Sequence, residues 1–301
     1  MELGLVGLGK MGGNMAERLI GDGHEVVAFD PDSQALAAAG KAGARKAGSL
    51  GDLVAALTQP RHIWLMVPSG RITGEVIGEL RPLLEAGDTL IDGGNSNYRD
   101  SMARARDLSE KGVRFLDVGT SGGIWGLEEG YCMMIGGDPD AFAAVEPVFR
   151  TLAPANGFAR VGPSGAGHFV KMVHNAIEYV MLEGYAEGFE LLEAKEEFAL
   201  DLEQVARLWG HGSVVRSWLL ELAVRAFHED SGLESLEPYV DDTGEGRWTA
   251  IESIENAVPA PALAVALMQR FRSRQPNSFA ARFIAAERRQ FGGHPVKKRG
   301  G

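Results

Sequence analysis

"LGLVGLGKMGGNMAERL", residues 3–19, decides the fold. An apolar run of strand character passes into Gly7, Gly9 and Gly12 at G-x-G-x-x-G spacing, and a helix is expected over 10–22. A second apolar run, "EVVAFD" (25–30), ends in Asp30, eighteen residues after Gly12. In this order of strand, turn, helix, strand and acid, the glycines allow a tight turn and close backbone approach to a pyrophosphate. The helix N-terminus offers unpaired N–H groups, and the acid accepts from ribose hydroxyls. Gly7, Leu8, Gly9, Lys10, Met11, Gly12 and Asp30 are therefore expected to hold a dinucleotide. Pro31 and Asp32 follow Asp30 where an arginine would serve a 2′-phosphate, so the local chemistry favours NAD over NADP. Folds that bind S-adenosylmethionine also use Gly-rich first turns, so the motif alone leaves the ligand open.

Outward from this unit, "HIWLMV", "DTLIDGG", "RFLDVG" and "CMMIGG" read as further strands, with helical segments at 33–40, 49–57, 71–85 and 99–111 between them. Alternation of strand and helix predicts parallel βαβ units and a doubly wound α/β sheet of the Rossmann type. Three strand ends are unusual. "MVPSG" brings Val67 and Pro68, "IDGGNSNY" brings Asn95 behind two glycines, and "DVGTSGG" brings Ser121, Gly122 and Gly123. Ligands of open α/β sheets bind at this edge, and paired glycines let backbone N–H groups approach an anion or carbonyl.

Near "VGPSGAG" (161–167) the period changes, and helical patterns run through 164–195, 201–227, 247–257, 260–273 and 278–290. The expected domains are 1–163, α/β and dinucleotide-binding, and 164–301, all-helical, for substrate and dimerisation, with a C-terminal tail. The chain has 301 residues, enough for two domains. A net charge of −11 argues against a general nucleic-acid binder. No apolar run is long enough for a membrane span, and no secretory leader is read at the N-terminus. The single cysteine, Cys132, fits a reducing cytoplasm. The basic end "KKRG" is expected to be solvated.

"HFVKMVHNAIEYV" (168–180) carries Lys171, His174, Asn175 and Glu178 at offsets 0, 3, 4 and 7, one face of a helix. Apolar residues occupy most of the remaining circumference, from Phe169 and Val170 to Ile177, Val180 and Met181. Burial is expected, with the polar face turned into a polar cavity or paired internally. A lysine in such a place can carry protons near neutral pH.

"GLGKMGGNMA", "DGGNSNY", "SGG", "KMVHNAIEY", "GRWT" and "FGGH" follow, in order, the motifs of 6-phosphogluconate dehydrogenases, and the chain resembles that family from Gly7 to His294. The 3-hydroxyisobutyrate dehydrogenases share the Gly loop, the Ser-Gly-Gly loop and the lysine helix, but not the Glu-Tyr step or this tail. The resemblance implies oxidative decarboxylation of 6-phosphogluconate to ribulose 5-phosphate and carbon dioxide without a metal. It makes Lys171 the base and Glu178 the acid, gives His174 and Asn175 the sugar hydroxyls, and gives Ser121, Gly122 and Gly123 the substrate carboxylate. Asn95 would bridge cofactor and substrate. Tyr179, Arg247, Thr249 and Arg270 would bind the phosphate, with Arg288 and His294 as tail residues closing a site. It also implies a homodimer or homotetramer.

The chain departs from the long-chain members in three ways. Arg247 stands where many have lysine, "IWGL" (124–127) is inserted after the Ser-Gly-Gly loop, and the helical domain is present once. Short-chain, NAD-preferring members are the nearer likeness. The alternatives are a β-hydroxyacid dehydrogenase acting on a non-phosphorylated acid and a non-catalytic dinucleotide sensor.

Overall fold

The structure is a computed structural model describing residues 1–297, so Lys298, Arg299 and Gly300 of the basic end lie outside the described residues. The chain divides into two compact units, Met1–Asn175 and from Ala176 onward.

In the first unit β1 (Glu2–Val6), α1 (Lys10–Gly21), β2 (Glu25–Phe29), α2 (Ser33–Lys41) and β3 (Arg45–Lys46) make one half of the sheet. The other half follows through α3 (Leu50–Ala55), β4 (His62–Leu65), α4 (Arg71–Leu80), β5 (Thr89–Asp92), α5 (Tyr98–Ser109) and β6 (Arg114–Ser121). Then come α6 (Gly126–Glu129), β7 (Cys132–Gly137), α7 (Pro139–Leu152) and β8 (Phe158–Gly162). The strand order is β3-β2-β1-β4-β5-β6-β7-β8. The expected doubly wound Rossmann-type sheet is therefore present. The chain reverses direction across the sheet between β1 and β4, which pair in parallel, so the crevice at their carboxyl ends is the switch point where such folds bind ligands.

Strand side chains alternate between two apolar layers. Leu3, Leu5, Trp64 and Val118 pack with Met15 and Phe149 on one face. Val6, Val27, Ile63 and Leu90 pack with Leu53 and Leu80 on the other. Burial on both faces explains why these strands read as continuous apolar runs.

Two expectations for this unit need correction. β7 runs antiparallel to β6. Only residues 122–131 join the two strands, and a parallel pair needs a crossover of about a dozen or more residues. Two strands and one helix also escaped the pattern: β3 is two exposed residues, "RK", β8 is a largely exposed strand, and α7 follows its own N-cap Asp138.

α8 (Ala166–Glu193) crosses the division between the units. Beyond it stand α9 (Leu202–Trp209), α10 (Trp218–Glu229), α11 (Glu245–Glu255), α12 (Pro261–Ser273) and α13 (Phe279–Gly292), so the C-terminal part is helical as expected. The segment 201–227 is not one helix. Gly210 and Gly212, the latter at φ +79°, interrupt it, and Ser217 starts α10 by accepting the Leu220 N–H at 3.1 Å. Phe189, Ala206, Leu220 and Phe227 form one small core, and Ala176, Tyr179, Leu263, Ala266 and Leu267 another. No helix among the described residues is long and apolar enough to cross a membrane.

Candidate active site

The glycine turn after β1 is fixed by contact. Gly7 has φ +92°, and a Cβ there would stand 2.4 Å from the Met66 carbonyl oxygen. A Cβ on Gly12 would stand 2.0 Å from the Gly7 carbonyl oxygen, so α1 can start against the loop only with glycine at that position. Gly9 differs: its Cβ would meet nothing within 4 Å. Gly9 is also the N-cap of α1 and supplies no side-chain bond to it. The α1 N-terminus therefore presents its N–H groups, among them those of Lys10 and Met11, around an open cradle suited to a pyrophosphate.

Asp30 closes this turn. Its carboxylate accepts the Leu8 N–H at 2.6 Å through Oδ2 and the Asp32 N–H at 2.7 Å through Oδ1. Each oxygen keeps a further lone pair for a ribose hydroxyl. Asp32 caps α2 by accepting the Gln34 N–H at 2.8 Å, so it is a structural acid beside the site. Open cradle and acceptor together fit a dinucleotide.

The neighbouring strand ends are braced by residues that the sequence pattern did not single out. Asp92, 1% exposed, accepts from the Gly94 N–H at 3.1 Å, the Ser96 hydroxyl at 2.7 Å and Arg104 Nη1 at 3.0 Å. It thereby organises the loop that carries the exposed Asn95. The signal was an acid ending the short strand "TLID", together with an arginine in the helix that follows. At the β4 end, Thr73 donates its hydroxyl to the Pro68 carbonyl at 2.8 Å, and Val67 offers its carbonyl 3.0 Å from where a Cβ on Gly94 would lie.

Gly122 (φ +134°) and Gly123 (φ +54°) take backbone conformations that favour glycine, directly after Ser121. The inserted "IWGL" continues from them as a 3₁₀ turn and α6. It is latched to α1: Asn14 Nδ2 donates to the Ile124 carbonyl at 3.1 Å and Arg18 Nη1 to the Leu127 carbonyl at 2.9 Å. Gly126 lies flat on the buried ring of Tyr131, 1.9 Å from a would-be Cβ. The insertion thus ties the Ser-Gly-Gly loop to the dinucleotide helix.

α8 is anchored by Asp117 of β6, whose buried carboxylate accepts the Gly165 N–H at 2.6 Å and the His168 N–H at 2.9 Å. His168 is buried and shares a 2.7 Å hydrogen bond through Nδ1 with the Ser101 hydroxyl. Gly119, Gly136 and Gly167 let helix and strands touch backbone to backbone. This contact buries Lys171 and Asn175 to 7% and 8% exposure. His174 Nδ1 lies 3.1 Å from Asn175 Oδ1. The expectation that the apolar positions are buried holds for Met172 and Ala176 but fails for Val170, Ile177 (57% exposed) and Met181. Within the first unit the start of α8 meets β6 through Lys171, while Val170 is exposed.

The second unit holds the remaining candidates. Glu178 is half-buried, and Tyr179 is buried with the Arg270 guanidinium 3.6 Å from its ring centroid. Gly246 permits this, since a Cβ there would stand 2.5 Å from Tyr179 Cε2. Thr249 bonds back to the Glu245 carbonyl at 2.8 Å. Arg247 pairs with the buried Asp242 through two bonds of 2.5 and 3.0 Å. Hydrogen bonds from Arg247 first, then from Arg274, outweigh burial and hold the Asp242 carboxyl at about 2. Arg288 lies exposed on α13, and the exposed His294 follows that helix with its N–H 3.4 Å from the Arg288 carbonyl.

A family model described as the NAD binding domain of 6-phosphogluconate dehydrogenase matches residues 2–162. Another, described as the C-terminal domain of the same enzyme, matches 167–299. A Haloferax volcanii protein named 6-phosphogluconate dehydrogenase, NAD(+)-dependent, decarboxylating, is 44% identical over 301 residues, covering 99% of each chain. A Bacillus subtilis protein of that name is 35% identical over 288 residues, 90% of this chain but 61% of its own length. Among solved structures, Plasmodium falciparum 6-phosphogluconate dehydrogenase superposes with a TM-score of 0.83 at 24% identity, over 100% of this chain and 67% of that one. A Salmonella typhimurium 3-hydroxyisobutyrate dehydrogenase gives 0.77 at 21% identity, over 92% and 95%, so both share the fold. Matched along almost its whole length, and by a relative of equal span, the chain belongs to the 6-phosphogluconate dehydrogenase family.

Proposed function

We propose that the protein catalyses NAD-linked oxidative decarboxylation of 6-phosphogluconate to ribulose 5-phosphate and carbon dioxide. The observation that carries this is the burial of Lys171 and Asn175 on a helix pinned to β6, the strand that ends in Ser121. A lysine so placed is kept from bulk water and is held where a proton must move.

Bound NAD supplies the hydride acceptor. Lys171 takes the proton of the carbon-3 hydroxyl as the hydride leaves that carbon. The β-keto acid releases carbon dioxide, and Lys171, now protonated, stabilises the enolate oxygen. Glu178, two turns on along α8, delivers a proton to carbon 1. His174 and Asn175 hold sugar hydroxyls, and the Ser121–Gly123 loop takes the carboxylate. Asn95 bridges the substrate to the cofactor, which rests on residues 7–12, Val67 and Pro68. Tyr179, Arg247, Thr249 and Arg270 bind the phosphate, and the tail residues Arg288 and His294 close a site. Residues 1–163 serve the cofactor and 164–301 the substrate and self-association. The exposed Ile177, Phe279, Phe283 and Phe291 favour a homodimer or homotetramer, and the single Cys132 favours the cytoplasm.

NAD is the preferred cofactor because Asp30 and Asp32 stand where a 2′-phosphate would need a cation. The test is a matrix of 6-phosphogluconate, gluconate and 3-hydroxyisobutyrate against NAD and NADP, read by reduced-cofactor absorbance. Turnover of 6-phosphogluconate with higher kcat/KM for NAD is expected. Turnover of only a non-phosphorylated acid, or of none, overturns the proposal.

A further inference from the structure

"VDDTGEGRW" (240–248) sets two adjacent carboxylates just ahead of Arg247. Asp242, 1% exposed at its side chain, accepts Arg247 Nε at 2.5 Å through Oδ2 and Arg247 Nη2 at 3.0 Å through Oδ1. Its Oδ1 also accepts Arg274 Nη2 at 2.7 Å. Asp241 accepts Arg274 Nη1 at 2.8 Å on its carboxylate and Arg270 Nη1 at 2.9 Å on its backbone carbonyl. Two consecutive residues therefore touch three guanidinia. The rings between them complete the cluster: Phe271 lies 4.5 Å from Arg247 and 5.2 Å from Arg274, and Tyr179 carries Arg270.

This is more than surface ion pairing. The Asp241 side chain is 73% exposed, and its pairing is screened and weak. Asp242 is enclosed, and a buried carboxylate persists as an anion only with close cations, which Arg247 and Arg274 supply. The bidentate bond uses the Nε–Nη2 side of Arg247. Because a guanidinium is planar and rigid, fixing that side also fixes where its Nη1–Nη2 end points. Arg247 is otherwise half exposed and would sample several rotamers, an entropy that an anion would have to remove on binding. Arg270 also faces the Glu183 carboxylate, so the cluster offers a dianion oriented guanidinia rather than a surplus of positive charge.

We infer that Asp242 is a positioning residue that presets the Arg247 guanidinium for a phosphomonoester, with Arg274 as the counter-charge that keeps Asp242 from neutralising the site. The inference rests on the phosphate role proposed above for Arg247 and Arg270.

The test compares wild type, Asp242→Asn and Arg247→Ala in the full chain. Readouts are kcat, KM for 6-phosphogluconate, KM for NAD and competitive inhibition by inorganic phosphate. Asp242→Asn should raise KM for 6-phosphogluconate and the inhibition constant for phosphate by roughly 3- to 10-fold, the cost of ordering a freed side chain. Its kcat and KM for NAD should change less than about twofold, a split that general destabilisation would not produce. If Arg247→Ala raises both constants and Asp242→Asn raises neither, the positioning role is overturned and the phosphate site stands. If neither variant raises them, the phosphate site falls as well. Should Asp242→Asn fail to fold, Arg274→Gln keeps the Asp242–Arg247 bond but removes the counter-charge, and must weaken phosphate inhibition in the same direction. Unchanged inhibition there overturns the inference.

Discussion

A Cβ on Gly119 would stand 2.3 Å from the Cβ of Lys171 and 2.8 Å from the Gly167 carbonyl oxygen. Neither atom is the mobile end of a side chain, so β6 and α8 meet at that point with no slack. The proposed base is thus located by backbone packing, and a methyl group at 119 must push the helix away. Gly119→Ala should lower kcat at least tenfold through displacement of Lys171 and lower thermal stability, since overpacking costs roughly 1–3 kcal/mol. Calorimetry and steady-state kinetics on the purified variant check this. Wild-type kcat would show that the position of α8 on the sheet does not set the chemistry.

Lys171→Met keeps the length and apolar stem of the side chain and removes the amine. It should lose roughly 10²–10⁴-fold in kcat, the range for general acid–base groups. NAD binding, followed by fluorescence titration, should stay within about twofold, because the cradle at Gly9 is built from other residues.

The dinucleotide fold was legible because its signals are local: glycine spacing, apolar strands, and an acid at a fixed distance. What escaped depended on partners distant in sequence. β8 has a burial pattern without apolar alternation, and β7 turned antiparallel because its connection is short. The polar stripe on α8 was legible, but its direction was only half so. Spacing gave Lys171, His174, Asn175 and Glu178 one face, whereas Asp117, Gly119 and Gly136, which hold Lys171 against the sheet, lie 35 to 54 residues before it, and only Gly167 is near, four before it. Asp92, Arg104, Asp242 and Arg274 are ordinary charges in sequence and become structural only when burial makes their pairing obligatory.

The Asp92–Arg104 pair follows this logic. Arg104→Met would leave a carboxylate of 1% exposure without its cation, and breaking one side of a buried pair costs roughly 3–5 kcal/mol. The Asn95 loop should loosen with it. KM for both NAD and 6-phosphogluconate is expected to rise, and the unfolding midpoint to fall by several degrees. Asp92→Asn in the Arg104→Met background should recover part of the stability, as a double-mutant cycle would measure.

Asp30 serves two ends, so its replacements should separate them. Asp30→Ala leaves the Leu8 N–H without its 2.6 Å acceptor and removes the ribose acceptor, and should raise KM for NAD by tenfold or more. Asp30→Asn keeps an acceptor for Leu8 and removes the charge that would repel a 2′-phosphate. The ratio of kcat/KM for NADP to that for NAD should therefore rise in the Asn variant while the Ala variant loses both cofactors. Equal ratios in wild type and Asp30→Asn would place the source of cofactor preference elsewhere.

Asp242 also makes an acid-stability prediction with a defined sign. Its folded value of about 2 lies below the unfolded carboxylate value near 3.8. The stabilisation it supplies is present above the unfolded value and is lost as pH falls through the folded one. Arg247, Arg274 and Asp241 are the charged groups around it, and both arginines keep their charge throughout this range. Chemical denaturation of wild type and Asp242→Asn between pH 6 and pH 2 should show a stability gap that is flat down to about pH 5. That gap should fall to roughly half by about pH 3 and become small near pH 2. A gap independent of pH would mean that the carboxylate acts through shape alone, and one that widens on acidification would reverse the sign of the pairing.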